Sequence, residues 1–154
     1  MALRSGEKAD AEVCILAALL HDIARVKGIW DDPELMESSF EMTEEIMKRH
    51  GYDNESIDAV KEAIRFHSCR EGKPRTKEGK VLATADALAH IMSDFYFILP
   101  FKKLRMASDA ESYQKLVSSK IEMDFNKKIF FPNYKKTRKE KIRGAKDGLF
   151  WLIP

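Results

Sequence analysis

An all-α fold is predicted by two features of the 154-residue chain. Apolar residues recur at helical spacing in several separate segments, and no segment shows the strict alternation of a half-buried strand. With 44% hydrophobic residues and this length, one domain over 1–154 can bury a real core, and five or more helices are expected.

The first helix is predicted from about Asp10 to Arg25, because Val13, Leu16, Ala17, Leu20 and Ala24 share one face. His21 shares that face. A second helix has Asp32 as N-cap and Pro33 in its first turn, and Leu35, Ser39, Met42 and Ile46 line one side until Gly51. Its basic end, Lys48-Arg49-His50, suits the helix dipole, and His50 is read as a cationic helix-end residue. Asn54 is expected to cap a third helix carrying Ile57, Val60, Ala63 and Ile64, with His67 at its C-terminal end. The segment Ser68 to Lys80 has Gly72, Pro74 and Gly79 among basic residues and no apolar period, so it reads as a loop placed for substrate contact. A fourth helix from about Lys80 to Ile98 stops before Pro100 and carries Asp86 in its middle. A fifth is predicted from Asp109 to about Phe125. Ile129-Phe130-Phe131-Pro132 then breaks the pattern, and a last helix from Thr137 is expected to end with Leu149, Phe150 and Trp151 packing back. Trp30, Trp151 and the methionines are read as packing residues.

Bulk composition excludes several classes of function. No apolar run approaches the length of a membrane span, and Met1 to Lys8 lacks the apolar stretch of a secretory signal. Cys14 and Cys69 have neither CxxC spacing nor a disulfide framework around them, and free thiols fit a reducing compartment, so a cytoplasmic location is expected. The net charge of +2 hides an asymmetry: Asn126 to Pro154 holds nine Lys or Arg against two acidic residues. This basic C-terminal extension, from about residue 126, is read as a solvated helix face. It lacks an interleaved base-stacking pattern, so nucleic acid is not an expected partner.

The chemistry lies in a few polar residues within apolar runs. His21 and Asp22 end the run Ala17-Ala18-Leu19-Leu20, and Asp86 lies inside Val81-Leu82-Ala83-Thr84-Ala85-Asp86-Ala87-Leu88. Carboxylates are rarely buried unless paired or holding a metal. Two such sites on separate helices therefore suggest a shared cation, and His21, Asp22 and Asp86 are expected to converge on a common point. Adjacent helix residues point about 100° apart, so His21 and Asp22 reach one ion only from the edge of the buried face. His90, one helical turn beyond Asp86, is either a core histidine or a partner that orients the Asp86 carboxylate.

A His-Asp dipeptide alone carries little weight, but this context closely resembles the HD-domain superfamily of metal-dependent phosphohydrolases, in particular its small stand-alone members. The pair ends an apolar helix, a mid-helix Asp follows in an Ala-rich run, and His67 precedes a basic loop. The resemblance covers about Ala2 to Ile98 and, more weakly, Lys127-Lys128-Ile129-Phe130-Phe131-Pro132. It implies an HD-like helical bundle whose metal is held by an upstream His, the His-Asp pair and a distant Asp. His21, Asp22 and Asp86 match the last three. Met1 to Lys8 reads as the later part of the helix that carries the upstream His, which has no counterpart here. His67, in Ala63-Ile64-Arg65-Phe66-His67, matches a position that serves as an extra ligand or a phosphate contact.

The resemblance implies hydrolysis of a phosphate ester on a small phosphorylated substrate, with a nucleotide as the leading class. One divalent ion is expected, because Leu35 and Met36 stand where binuclear relatives place further His ligands. Relatives that act on nucleotide alarmones carry acidic residues soon after the pair, whereas this chain has Ile23-Ala24-Arg25, so that chemistry is not expected. A divalent ion on imidazole and carboxylate ligands polarises phosphoryl oxygens and acidifies water. Asp22 is the expected ligand and proton acceptor, with His67 beside it as the second catalytic residue. Arg70, Lys73 and Arg75 are expected to neutralise phosphate charge. Mixed N and O ligands leave Mn, Fe, Mg, Zn and Ni all open. The competing reading is a degenerate HD domain that binds a ligand or partner without turnover, because one ligand of the family's set is missing.

Overall fold

The computed structural model describes residues 8–29, 32–93, 95–96 and 110–135. Within them lie α1 (Ala11–Leu20), a 3-10 turn (Ile23–Lys27), α2 (Asp32–Arg49), α3 (Asn54–Ile64), α4 (Lys77–Met92), α5 (Ala110–Met123) and a π turn (Asp124–Lys128). The fold is all-α, as predicted, and no strand occurs among the described residues. Trp30, Trp151, the helix expected from Thr137 and most of the basic C-terminal segment lie outside them.

The chain divides into two compact units, Met1–Ala83 and Thr84–Pro154, with the division falling inside α4. In the first unit Ala17 and Leu20 of α1, Met47 of α2, the α3 residues Ile57, Val60, Ala63 and Ile64, and Leu82 form the core. The apolar period of α3 is thus the face that is buried. In the second unit Ala87, Leu88 and Ile91 of α4 pack with Tyr96, Val117, Ile121 and Ile129.

Caps account for several helix ends. Asp10 Oδ1 accepts from the backbone N–H groups of Glu12 (2.9 Å) and Val13 (3.1 Å), which starts α1. The third helix is capped by Asp53 rather than the expected Asn54, because the Asp53 carboxylate accepts from Ser56 N at 2.8 Å. That bond holds the Asp53 carboxyl below its usual range. The fourth helix starts three residues earlier than the sequence suggested, since Thr76 Oγ1 accepts from Gly79 N at 3.0 Å.

Gly79 marks a close approach. A Cβ there would stand 3.0 Å from Pro74 Cβ and 3.1 Å from the Ala63 carbonyl oxygen. Ala63 belongs to the buried face of α3 and cannot retreat. Overpacking costs about 1–3 kcal/mol, which outweighs the gain of under about 1 kcal/mol that Ala brings to a helix. Gly79→Ala should therefore lower the thermal midpoint, read by circular dichroism. An unchanged or raised midpoint would show that the contact relaxes freely.

Candidate metal site

The first helix does not run on to Arg25 as its apolar period suggests. It ends at Leu20, His21 is its C-cap, and Asp22 leaves the helical region with φ −118° and ψ 21°. A 3-10 turn follows, in which Arg25 N bonds to Asp22 O at 3.0 Å and Gly28, at φ 78°, closes the turn. The buried Ser39 hydroxyl accepts from Ala24 N at 3.3 Å and anchors this change of winding to α2. Because the winding changes at the His-Asp pair, the two side chains are not held to the angular offset of one regular helix.

His67 is presented by an irregular turn rather than by the end of α3. The helix stops at Ile64, and Phe66 and Cys69 on either side of His67 both adopt left-handed backbone, with φ 62° and 56°. Non-glycine residues there cost about 1–2 kcal/mol each, so the turn must be held by its contacts. His67 N bonds to Ile64 O at 3.1 Å and Cys69 N to Phe66 O at 2.9 Å. The Phe66 ring covers Gly72, where a Cβ would lie 3.0 Å from its Cδ1, and the Arg75 guanidinium sits 5.3 Å from the ring centre.

These two local features bring His21, Asp22 and His67 together: one ligand atom from each lies within 4.8 Å of the others. The two imidazoles meet edge to face at 5.0 Å between ring centres. His21 Nε2 stands 3.9 Å from Asp22 Oδ2. His21 Nδ1–H donates to the Ala18 carbonyl at 3.0 Å, and His67 Nδ1–H donates to the Ile64 carbonyl at 2.7 Å. In its neutral form each ring then presents its lone pair on Nε2, and a backbone carbonyl on the far nitrogen is the usual way a metal-binding imidazole is oriented. Two neutral nitrogen donors and one carboxylate suit a divalent ion, and three protein ligands leave positions open for water and substrate.

One feature opposes the ion. Arg25 Nε donates to Asp22 Oδ2 at 2.5 Å, with the two side chains 36% and 33% exposed. An ion pair this open contributes under about 1 kcal/mol, less than a divalent ion would gain from three donors. A carboxylate also has about four lone-pair sites and can keep Arg25 on one of them.

Asp86 lies in the second unit, in the middle of α4 as predicted. There its Oδ2 accepts from Lys128 Nζ, and its Oδ1 lies 3.4 Å from His90 Nε2. Arg70, Lys73 and Arg75 are exposed on the connection between α3 and α4 that follows His67. His50, expected at a helix end, directly follows α2 and is exposed. It borders an apolar hollow of about 430 Å³ walled by Leu16, Leu19, Ile46, Met47 and Tyr52, and no candidate ligand lines that hollow.

Sequence reasoning passed over Asp124, Lys120 and Lys128. Asp124 is fully buried and accepts from His90 Nδ1 (2.9 Å), Tyr96 Oη (3.0 Å) and Lys120 Nζ (2.6 Å). Burial works to raise its pKa, but the His90 bond and the two ammonium groups outweigh it and hold the carboxyl below its usual range. Burial pushes the Lys120 ammonium down and the Tyr96 phenol up. The detectable signal was spacing, since Val117, Ile121, Asp124 and Lys128 continue one helical stripe from apolar into charged residues.

Residues 1–91 match the family model of the HD domain. No curated protein and no solved structure matches the chain.

Proposed function

The chain belongs to the HD-domain family, and from that membership we propose that it is a metal-dependent phosphohydrolase acting on a phosphate ester, with a nucleotide as the substrate class. The observation that carries this reading is the grouping of His21, Asp22 and His67 with both Nδ1 atoms tied to backbone carbonyls. His21 Nε2, His67 Nε2 and the Asp22 carboxylate would hold one divalent ion. The ion would supply Lewis acidity towards a phosphoryl oxygen and lower the pKa of a water. His67, expected beside Asp22 as a catalytic residue, is here read as the third ligand.

The chain's own groups do the rest. Asp22 has a second oxygen with which to take a proton from the attacking water. The exposed Arg70, Lys73 and Arg75 offer positive charge to the phosphate, Arg by a bidentate fork and Lys as a point charge. Leu35 is 5% exposed in the core, so the position where binuclear relatives carry a ligand is given to packing, which favours a single ion. The family also assigns a ligand's role to Asp86.

Phosphate release from a panel of nucleoside monophosphates, with and without added Mn²⁺, tests the proposal. Turnover should appear only with metal, and His21→Ala should remove it. The ion pair of Arg25 with Asp22 favours a second reading, an HD domain that binds its ligand without turnover. Mn²⁺ binding with no phosphate release from any substrate would select that reading.

A further inference from the structure

Arg25 Nε donates to Asp22 Oδ2, the same oxygen that faces His21 Nε2 at 3.9 Å. We infer that Arg25 is a phosphate-binding residue whose availability is set by the metal. The guanidinium and a divalent ion compete for the Asp22 carboxylate, and the guanidinium that yields to the ion takes an oxygen of the substrate's phosphate. This rests on the proposed metal-dependent hydrolysis and adds how that site couples its two ligands.

The backbone under Arg25 is fixed. Its N–H donates to Asp22 O and its carbonyl accepts from Gly28 N, both at 3.0 Å, within the turn Ile23–Lys27. The preceding residue, Ala24, is fully buried, and its N–H is held by the Ser39 hydroxyl. The Arg25 side chain, by contrast, is 36% exposed. A long side chain this open is not locked into the core, so it can turn on a fixed base without leaving the neighbourhood of Asp22. The further lone pairs of that carboxylate can keep the guanidinium beside the site until an anion arrives.

Charge selects the anion. With both imidazoles neutral, Asp22 and Arg25 cancel, and the group of His21, Asp22, His67 and Arg25 carries no net charge. A divalent ion leaves it with an excess of two positive charges, which a phosphate monoester near its dianionic form offsets. The preference of the guanidinium changes with the ion in the same direction. A carboxylate shared with a divalent ion is a weaker acceptor, and ion and guanidinium repel each other, whereas a phosphate offers the paired oxygens that the planar fork of Arg matches. Metal and anion should therefore each tighten the other, because coupling between two binding events is reciprocal.

The test is isothermal titration of Mn²⁺, and then of methylphosphonate into the Mn²⁺-loaded protein, with the full chain, Arg25→Gln and Arg25→Lys. Methylphosphonate carries the charge of the phosphate but no ester bond to cleave. Arg25→Gln should bind Mn²⁺ more tightly, by up to about five-fold, because the competing cation is gone. It should bind methylphosphonate about ten-fold or more weakly. These shifts have opposite signs, which loss of a merely structural pair would not produce. Arg25→Lys should fall between wild type and Arg25→Gln for the anion, since it keeps the charge without the fork. An unchanged Kd for methylphosphonate in an Arg25→Gln protein that binds Mn²⁺ would overturn this inference and leave the proposed function standing. Unchanged or weaker Mn²⁺ binding in Arg25→Gln would overturn it too, by showing that Arg25 does not compete for Asp22. A wild-type chain that binds no Mn²⁺ would overturn the proposed function first, and this inference with it.

Discussion

Asp22→Asn should weaken Mn²⁺ binding by about two orders of magnitude or more and take phosphate-ester hydrolysis to background, with the fold unchanged. The substitution is nearly isosteric, and it removes the one anionic donor of the His21, Asp22 and His67 group. Stability should scarcely change, because Asp22 is 33% exposed and its pair with Arg25 is worth under about 1 kcal/mol. The result is read as Mn²⁺ affinity by calorimetry beside a thermal midpoint by circular dichroism. A large fall in the midpoint would move Asp22 from the site to the scaffold.

The second large effect concerns stability. Asp124→Ala should cost about 3–5 kcal/mol, because it leaves Lys120 and Lys128 buried without their shared anion and removes the acceptor for Tyr96 and His90. That is a large share of the roughly 5–15 kcal/mol by which domains are stable. The loss should also change the acid limb. The Asp124 carboxyl titrates below its unfolded value, so its contribution is full above about pH 4 and fades as the pH falls through the folded value. Wild-type protein should lose stability on that descent more steeply than Asp124→Ala. Chemical denaturation at several pH values below about 5 measures both, and equal slopes would mean that Asp124 does not stabilise the fold as an anion.

The helices were legible because their period is a property of the chain itself. Ile57, Val60, Ala63 and Ile64 point one way on any regular helix, and they are the buried face of α3. Boundaries set by local side chains were legible to within a few residues, as at Asp53 and Thr76. The end of α1 was not. Nothing between Ala17 and Arg25 breaks a helix, and the switch of winding at Asp22 depends on the hydroxyl of Ser39, which is distant in sequence. The left-handed turn around His67 left no trace either, since Phe66 and Cys69 are not residues that favour such backbone. His21, Asp22 and His67 were therefore singled out as candidates by residue type and context, while their close grouping, in place of the expected one of His21 and Asp22 with Asp86, needed tertiary structure. Asp124 was passed over because a lone acidic residue near a helix end carries no signal of burial by its type. Its position in line with Val117 and Ile121 was the contrary sign.

His21, Asp22 and His67 are proposed to hold one divalent ion. Titration of Mn²⁺ into the full chain, His21→Ala and His67→Ala tests it most directly, because both histidines are only partly buried and can be changed without emptying the core. One equivalent should bind to the wild type, with a clear loss of affinity in each variant. Equal affinity in the wild type and in both variants, or no binding in the wild type, would contradict it.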